Sequence, residues 1–175
     1  MAAKTLVFAN HKGGVAKTTL SVNIADALAR EGFSVLFVDL DPQGNATQLI
    51  YGFDDTPAVT VEKLLAGKES IASAIVEKTT IPGVSLIGST LKLARLERDL
   101  QTTPFSSTSL LLQKLNSVRD VFDVIILDTP PGTSDIHLTL LQTLAITGAV
   151  IVSTPQQVAL ADARKGIDMY QNDKV

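Results

Sequence analysis

The sequence predicts an α/β fold in which helices cover both faces of a doubly wound, mostly parallel sheet. Short apolar runs rich in β-branched residues alternate with segments of helical period, which is typical of βαβ units. The 175 residues are 45% hydrophobic and 19% charged, which is enough apolar content for a buried core. Neither a repeat nor a linker-like stretch interrupts the chain, so we expect one domain over residues 1–175.

Each predicted element follows from its own pattern. Apolar runs bounded by turn residues predict strands at 5–9, 34–38, 84–87, 124–127 and 149–153. Helical spacing of apolar residues predicts helices at 17–31, 91–100, 110–118, 136–144 and 160–170. Gly32 ends the first helix. The segments 61–65 and 71–76 are too short to assign to either class, and 39–47 is interpreted as a polar loop.

Composition excludes several classes of function for these residues. The absence of cysteine excludes a disulfide framework, a thiolate metal site and a cysteine nucleophile. The net charge of −3 does not indicate a basic surface for nucleic acid. Apolar runs such as 124–127 are too short to span a bilayer, and the N-terminus becomes polar too early for a secretory signal. We therefore expect a cytoplasmic protein with no membrane partner.

A glycine-containing loop, HKGGVAKTT at 11–19, lies between the first predicted strand and the first predicted helix. Backbone N–H groups and the positive end of a helix converge in such a loop, which suits a phosphate group. Gly13 and Gly14 allow phosphate oxygens to approach the backbone closely. Lys17 can reach the β- and γ-phosphates, and the Thr18 hydroxyl can bind Mg²⁺.

The loop departs from the standard pattern G-x-x-x-x-G-K-[ST] at both glycine positions. His11 and Ala16 stand where that pattern has glycine, and a second lysine, Lys12, precedes the two glycines. We expect the Ala16 methyl group to be tolerated if its φ is negative, because only the backbone N–H is needed for phosphate. The alternative is an ordinary glycine-rich turn with two solvated lysines.

Two further motifs carry carboxylates at strand ends. VDLDPQGNAT at 38–47 follows the second predicted strand, and VIILDTPPG at 124–132 contains the fourth. Ligands of doubly wound sheets collect at the carboxyl ends of strands, which makes Asp39, Asp41 and Asp128 candidate site residues. Asp39 and Asp41 alternate along a strand end, so we expect separate roles, with a capping Asp and a turn as the alternative. A strand ending in Asp, as at Asp128, is a layout that holds a water-bound Mg²⁺ beside a nucleotide.

Together these motifs resemble the ParA/MinD family of deviant Walker A ATPases, whose fold is that of P-loop NTPases. KGGVAKTT is similar to the deviant Walker A loop, VDLDPQGNAT to the second acidic motif and VIILDTPPG to the Walker B strand. Over residues 3–130 the likeness is to the ParA partition branch. From Asp128 onward the sequence is closer to Mrp/ApbC-type iron–sulfur carrier ATPases. A divergent member, a hybrid of the two groups and a minimal nucleotide-binding scaffold all stay open.

The resemblance implies a role for each candidate residue. In the family, Lys12 would reach across a dimer to the partner's nucleotide, and Asp41 would position the attacking water; with Lys17 they form the catalytic set. Mg²⁺ would be held by Thr18 directly and by Asp128 through a bound water, and Asp39 would support Mg²⁺ or Lys17 without contacting the ion. The nucleotide would be bound by the loop residues Gly13, Gly14, Val15, Ala16, Lys17, Thr18 and Thr19.

The implied function is a slow ATPase that uses ATP/ADP and Mg²⁺ and forms a homodimer when ATP binds. In the ParA branch, non-specific DNA and a ParB-like activator are partners, and the protein associates with the nucleoid. An Mrp/ApbC-like carrier needs cysteines, which these 175 residues lack. MinD-like membrane binding needs a basic amphipathic helix, whereas 166–175 is mixed and polar. We also expect C-terminal elements of the family fold, including the base pocket, to be missing.

Overall fold

Five parallel strands form one sheet in the computed structural model, which describes residues 2–10, 13–100, 106–132 and 145–172. The strands are β1 (Lys4–Ala9), β2 (Val35–Asp39), β3 (Val84–Ile87), β4 (Val124–Asp128) and β5 (Gly148–Ile151). Their spatial order is β3-β2-β4-β1-β5, and every neighbouring pair is parallel. All five carboxyl ends therefore lie along the same edge of the sheet.

Seven helices are seen in the described residues. They are α1 (Lys17–Arg30), α2 (Asn45–Tyr51), α3 (Val61–Leu65), α4 (Ile71–Ala74), α5 (Lys92–Leu100), α6 (Ser106–Asn116) and α7 (Gln157–Asn172). The helix predicted at 136–144 lies outside the described residues. None of the described helices is long and apolar enough to cross a membrane.

Two apolar cores lie on opposite faces of the sheet. In β2, Val35 and Phe37 belong to the core under α1 and α2, whereas Leu36 and Val38 belong to the core under α3, α4, α5 and α6. All four side chains are fully buried. A strand covered on both faces must be apolar at every position, which explains the continuous hydrophobic runs in the sequence. The predicted fold class is confirmed.

The largest difference from the sequence prediction is α2. Residues 39–47 were expected to form a polar loop, but a helix begins at Asn45 and continues to Tyr51. It buries Ala46 and Ile50 against the first core. The two segments without an assignment are the short helices α3 and α4, and α6 begins at Ser106, four residues before the predicted start at 110. Burial against the sheet stabilises helices this short, since isolated ones are marginal in water.

Candidate functional site

The carboxyl ends of β1, β2 and β4 meet at the centre of the sheet edge. Phe8 pairs with Asp128, and Asp39 pairs with Asp128 from the other side. The second and third predicted motifs therefore place two fully buried carboxylates on adjacent strands. The strand order achieves this because β4 lies between β1 and β2.

The loop after β1 leads directly into α1. Gly14 has a φ of 78°, and Ala16, which immediately precedes the helix, has a φ of 65° and a ψ of 26°. The condition set for Ala16, a negative φ, is thus not met. An L-residue in this left-handed region costs roughly 1–2 kcal/mol because its Cβ crowds the following carbonyl. The alanine is therefore held in a conformation that glycine would adopt at less cost.

Among the residues that the structure describes, no side chain caps the N-terminus of α1. Ala16 makes no side-chain cap, and the first turn contains no acidic residue. A Cβ built on Gly13 would lie 3.9 Å from Pro131, so the loop lies against the segment that follows β4. An anion at this helix end would receive backbone N–H groups and the favourable helix dipole. The donor set here fits a phosphate group.

Lys17 and Thr18 both contact the carboxylate of Asp128. The Lys17 Nζ lies 2.7 Å from Asp128 Oδ1, and the Thr18 Oγ1 donates to Asp128 Oδ2 at 2.7 Å. Asp128 is fully buried and Lys17 is 8% exposed, so the ion pair is shielded from solvent. A hydroxyl and a carboxylate side by side are hard oxygen ligands, which fit Mg²⁺.

Asp39 has a different set of partners. Its Oδ1 accepts from the backbone N–H of Asp41 at 3.0 Å, and its Oδ2 accepts from the N–H and hydroxyl of Thr47 at 2.9 and 2.7 Å. Burial raises the pKa of Asp39 to about 7, with Asp128 adding to the rise and the hydrogen bonds from Thr47 and Asp41 opposing it. Asp39 thus organises the loop that follows its own strand. Its predicted support of Mg²⁺ or Lys17 stays a prediction.

Asp41 lies in a turn. Its Oδ1 accepts from the Gln43 N–H at 2.9 Å, and its carbonyl accepts from the Gly44 N–H at 2.9 Å. The side chain is 7% exposed. The alternative interpretation of 39–41 was a capping Asp followed by a turn, and the structure shows both features on different residues. Asp39 binds the first turn of α2, and Asp41 forms the turn.

The remaining predicted residues are distributed along the loop and helix. Val15 is buried, whereas Gly13, Gly14, Ala16 and Thr19 are exposed. Lys12 and His11 lie outside the described residues. Within the described ranges, no group of three or more His, Cys, Asp or Glu side chains could hold a metal ion. A Mg²⁺ site here would use few protein ligands and keep several waters, as Mg²⁺ commonly does.

Two residues at the site were not found from sequence. Thr47 links Asp39 to the first turn of α2, and Ser89, which follows β3, donates to Asp41 through its hydroxyl. Both are almost fully buried. The rule that ligand-binding residues follow the carboxyl ends of parallel strands would have selected Ser89, because it comes two residues after β3. No sequence pattern pointed to Thr47 as a bridge.

Comparison with protein families places most of the chain in one family. Residues 3–171 match the family described as an AAA domain. Among curated proteins, the chain is 36% identical over 169 residues to the iron-sulfur cluster carrier protein of Escherichia coli K12, which is 94% of this chain and 42% of that protein. It is 34% identical over 170 residues to the protein of the same name from Pseudomonas fragi, or 93% of this chain and 54% of that protein. The chain thus spans about half the length of these relatives.

Solved structures with the same fold include nucleotide complexes. Cobyrinic acid a,c-diamide synthase from Mycobacterium smegmatis, with a bound ATP analog and magnesium, has a TM-score of 0.84 and 30% identity, covering 97% of this chain and 68% of that one. The cell division ATPase MinD from Pyrococcus furiosus has a TM-score of 0.79 and 25% identity, covering 98% and 68%. A plasmid partition protein from Borrelia burgdorferi has a TM-score of 0.82 at 22% identity, covering 99% and 75%, and shows the fold alone.

Proposed function

The chain belongs to the AAA domain family, and from that premise we propose that residues 1–175 act as one magnesium-dependent ATPase domain of the ParA/MinD type. The observation that carries the proposal is the meeting of Lys17 and Thr18 on Asp128, at the N-terminus of a helix without a side-chain cap. Phosphate and a hard divalent cation are the ligands that these groups bind best. The M. smegmatis structure, which contains an ATP analog and magnesium, supports the same assignment.

Backbone N–H groups and Lys17 would bind the phosphates in different ways. The backbone N–H groups from Gly13 to Ala16 and the first turn of α1 would donate to the phosphate oxygens, because no side chain of residues 13–19 caps this helix end. Lys17 would neutralise charge on the β- and γ-phosphates, and its pairing with Asp128 keeps the ammonium buried and oriented toward the sheet edge.

The remaining site residues would bind the metal ion, the attacking water and the nucleotide of a partner subunit. Thr18 and Asp128 would hold Mg²⁺, which when bound supplies positive charge at the phosphates. Asp41 would orient the attacking water, and Lys12 would act on the nucleotide of a partner subunit, as the resemblance implies. The enzyme would be slow by itself, since such chemistry depends on positioning that a dimer or an activator completes.

Lys17→Ala tests the phosphate site. We expect the variant to lose ATP binding in isothermal titration calorimetry with Mg²⁺ present. Lys4→Ala is the matched control, because Lys4 is exposed at the start of β1, at the opposite end of that strand from the loop. Unchanged ATP affinity in the Lys17 variant would contradict the assignment.

Asp41→Ala tests hydrolysis separately from binding. We expect this variant to bind ATP as the wild type does and to hydrolyse it poorly, as measured by phosphate release.

Light scattering in ADP and in ATP tests the proposed nucleotide-dependent homodimer. A monomer in both nucleotides would support a minimal scaffold instead.

For the biological role, the curated relatives support an Mrp/ApbC-like iron–sulfur carrier ATPase better than the partition ATPase that residues 3–130 suggested. Two carriers are 34% and 36% identical over nearly the whole chain. Any cluster ligand of the thiolate kind would have to come from outside these 175 residues, which contain no cysteine. The role would be exercised in the cytoplasm, with the ATPase driving loading or release of the cluster.

DNA binding distinguishes the two roles. A partition ATPase should bind duplex DNA non-specifically in ATP, with an affinity that falls steeply between about 50 and 200 mM salt. The net charge of −3 favours the carrier role, for which we expect no such binding in a fluorescence anisotropy titration. ATP-dependent and salt-sensitive binding would favour partitioning.

A further inference from the structure

We infer that Ser89 is a positioning residue for hydrolysis, which holds the backbone of Asp41 so that its carboxylate stays aligned. This inference rests on the proposed function, because it assigns a role through Asp41 in ATP hydrolysis. The hydrogen bonds of Ser89 within the described residues go to Asp41 and Thr47, so its effect would be transmitted through the segment 39–47.

Ser89 makes two buried hydrogen bonds to this loop. Its hydroxyl donates to the carbonyl oxygen of Asp41 at 2.5 Å, and its backbone N–H donates to Thr47 Oγ1 at 2.9 Å. The residue is 3% exposed and follows β3 at the same sheet edge as Asp39 and Asp128. One serine therefore holds both the turn at Asp41 and the first turn of α2 beside the end of β3.

These bonds close a ring of four residues, Asp39, Asp41, Thr47 and Ser89. Thr47 Oγ1 donates to Asp39 Oδ2 at 2.7 Å, and Asp39 Oδ1 accepts from the Asp41 N–H at 3.0 Å. The Asp41 backbone is thus held at its N–H by Asp39 and at its carbonyl by Ser89. The Asp41 side chain makes no hydrogen bond to the other three residues of the ring. Its Oδ1 accepts instead from the backbone N–H of Gln43.

The packing around the four-residue ring leaves little space for adjustment. A Cβ on Gly88 would lie 2.8 Å from Thr47 Cγ2 and 3.2 Å from its Oγ1. A Cβ on Gly44 would lie 3.1 Å from the Ser89 carbonyl oxygen. The segments after β2 and β3 thus approach each other closely, so a side chain at Gly88 would force Thr47 to move and one at Gly44 would crowd the Ser89 carbonyl. A loop that is fixed in this way can hold a catalytic carboxylate within a narrow range of positions.

The expected consequence concerns the rate and not the binding of ATP. Lys17 and Thr18 bind Asp128, outside the four-residue ring, so nucleotide affinity should not depend on Ser89. Water orientation does depend on where Asp41 lies, and small displacements of such a group reduce the rate. Removing the Ser89 hydroxyl should therefore lower kcat and leave KM unchanged.

The experiment measures ATP hydrolysis and Mg²⁺-ATP binding for Ser89→Ala in the full chain. We expect kcat to fall by about threefold to tenfold, as for loss of one hydrogen bond, with an unchanged Kd for ATP. Thr79→Ala is the matched control, because its hydroxyl donates to Ile81 and Val84 carbonyls at 2.9 and 2.8 Å beside the opposite end of β3. That variant should lose stability and keep its kcat.

Thr47 variants test the same ring if Ser89→Ala folds poorly. Thr47→Val keeps the side-chain shape and removes the hydroxyl that joins Ser89 to Asp39, so kcat should fall. Thr47→Ser restores that hydroxyl and should return kcat to near the wild-type value. Equal rates for the valine and serine variants would overturn the inference.

A double variant asks whether Ser89 acts through Asp41. In the Asp41→Ala background, Ser89→Ala should change the residual kcat by less than twofold, since the carboxylate that it positions is gone. A full additive loss would indicate a general structural role and overturn the inference. If the wild type binds ATP and hydrolyses it, but Ser89→Ala has the same kcat, only the inference fails. A wild type that does not hydrolyse ATP overturns the proposed function and the inference with it.

Discussion

β1–α1 and β2–α2 are both strand–loop–helix units, and each helix follows a residue in the left-handed conformation. Ala16 has φ 65° and ψ 26°, and Gly44 has φ 65° and ψ 24°. Neither residue caps its helix with a side chain. The backbones are thus nearly the same at the two helix starts, although the two loops differ in sequence.

The N-termini of α1 and α2 differ in the negatively charged groups that bind their backbone N–H groups. The N–H of Thr47 in the first turn of α2 donates to Asp39, so the chain's own carboxylate supplies the negative charge there. The first turn of α1 has no acidic residue, and it directs Lys17 and Thr18 toward Asp128 on another strand. A helix N-terminus that accepts an internal carboxylate is thus structural, whereas a similar N-terminus without one is suited to an external anion.

The largest expected effect comes from breaking the contact of α1 with β4. Asp128→Ala leaves the buried Lys17 ammonium without its partner and should lower the free energy of unfolding by about 3–5 kcal/mol. Urea denaturation measures it. The double variant Lys17→Met, Asp128→Ala should recover part of this loss, because the unpaired charge is gone. Equal stability of the single and double variants would mean that the ion pair does not hold α1 in place.

A smaller loss is expected for the internal cap of α2. Asp39→Ala removes the acceptor of the Asp41 and Thr47 N–H groups and should cost about 2 kcal/mol. Hydrogen exchange should show faster opening of α2 than of α1 in this variant. Equal acceleration in both helices would remove the distinction between the two units.

The pH dependence of stability should carry the signature of Asp39. Its pKa is raised to about 7, so the folded state favours the protonated carboxyl. The contribution of Asp39 to the free energy of unfolding is fully present below its unfolded pKa of 3.8 and is lost as pH rises through about 7. Asp123 gives the opposite sign, since hydrogen bonds from Ser34 lower its pKa and its contribution is lost as pH falls below 3.8. Urea unfolding of the wild type relative to Asp39→Asn and to Asp123→Asn, from pH 3 to pH 8, measures both. A wild-type advantage over Asp39→Asn that does not change with pH would contradict the raised pKa.

The smallest effects concern the two left-handed residues. Ala16→Gly relieves the strained φ and should raise the free energy of unfolding by a few tenths of a kcal/mol to about 1 kcal/mol, with ATP binding retained. Gly44→Ala should lower the free energy of unfolding by about 1–2 kcal/mol. The alanine would have to adopt a positive φ, and its Cβ would lie 3.1 Å from the Ser89 carbonyl oxygen. Thermal unfolding of the pair measures both signs. A destabilised Ala16→Gly would show that the methyl group makes a contact that offsets its strain.

The sequence allowed the sheet to be predicted well, because strands buried on both faces are continuously apolar. The strand at 84–87 was placed at its observed bounds, and the strand at 124–127 lacked only Asp128. A capping Asp was only the alternative interpretation of 39–41, and α2 was missed because its first turn is bound by a carboxylate eight residues earlier, at the end of the preceding strand. The conformation of Ala16 was also beyond prediction, since its φ is set by the course of the loop. The candidate carboxylates were identified from the sequence. The strand order was needed to show that Asp128 pairs with Lys17, whereas Asp39 binds the segment that leads into α2.

The position of β4 has a consequence for how the protein reaches its folded state. β1 and β2 are early in the chain but do not pair with each other, and each pairs with β4 instead. During synthesis, residues 1–120 therefore contain β1 and the β2–β3 pair without the strand that joins them. Pairing over such long sequence separations is slow, and the edges of β1 and β2 that will face β4 are exposed to aggregation until residues 124–128 arrive. Lys17 acquires its carboxylate partner at the same moment, so the joining of β1 to β2 through β4 and the assembly of the site are one event in folding.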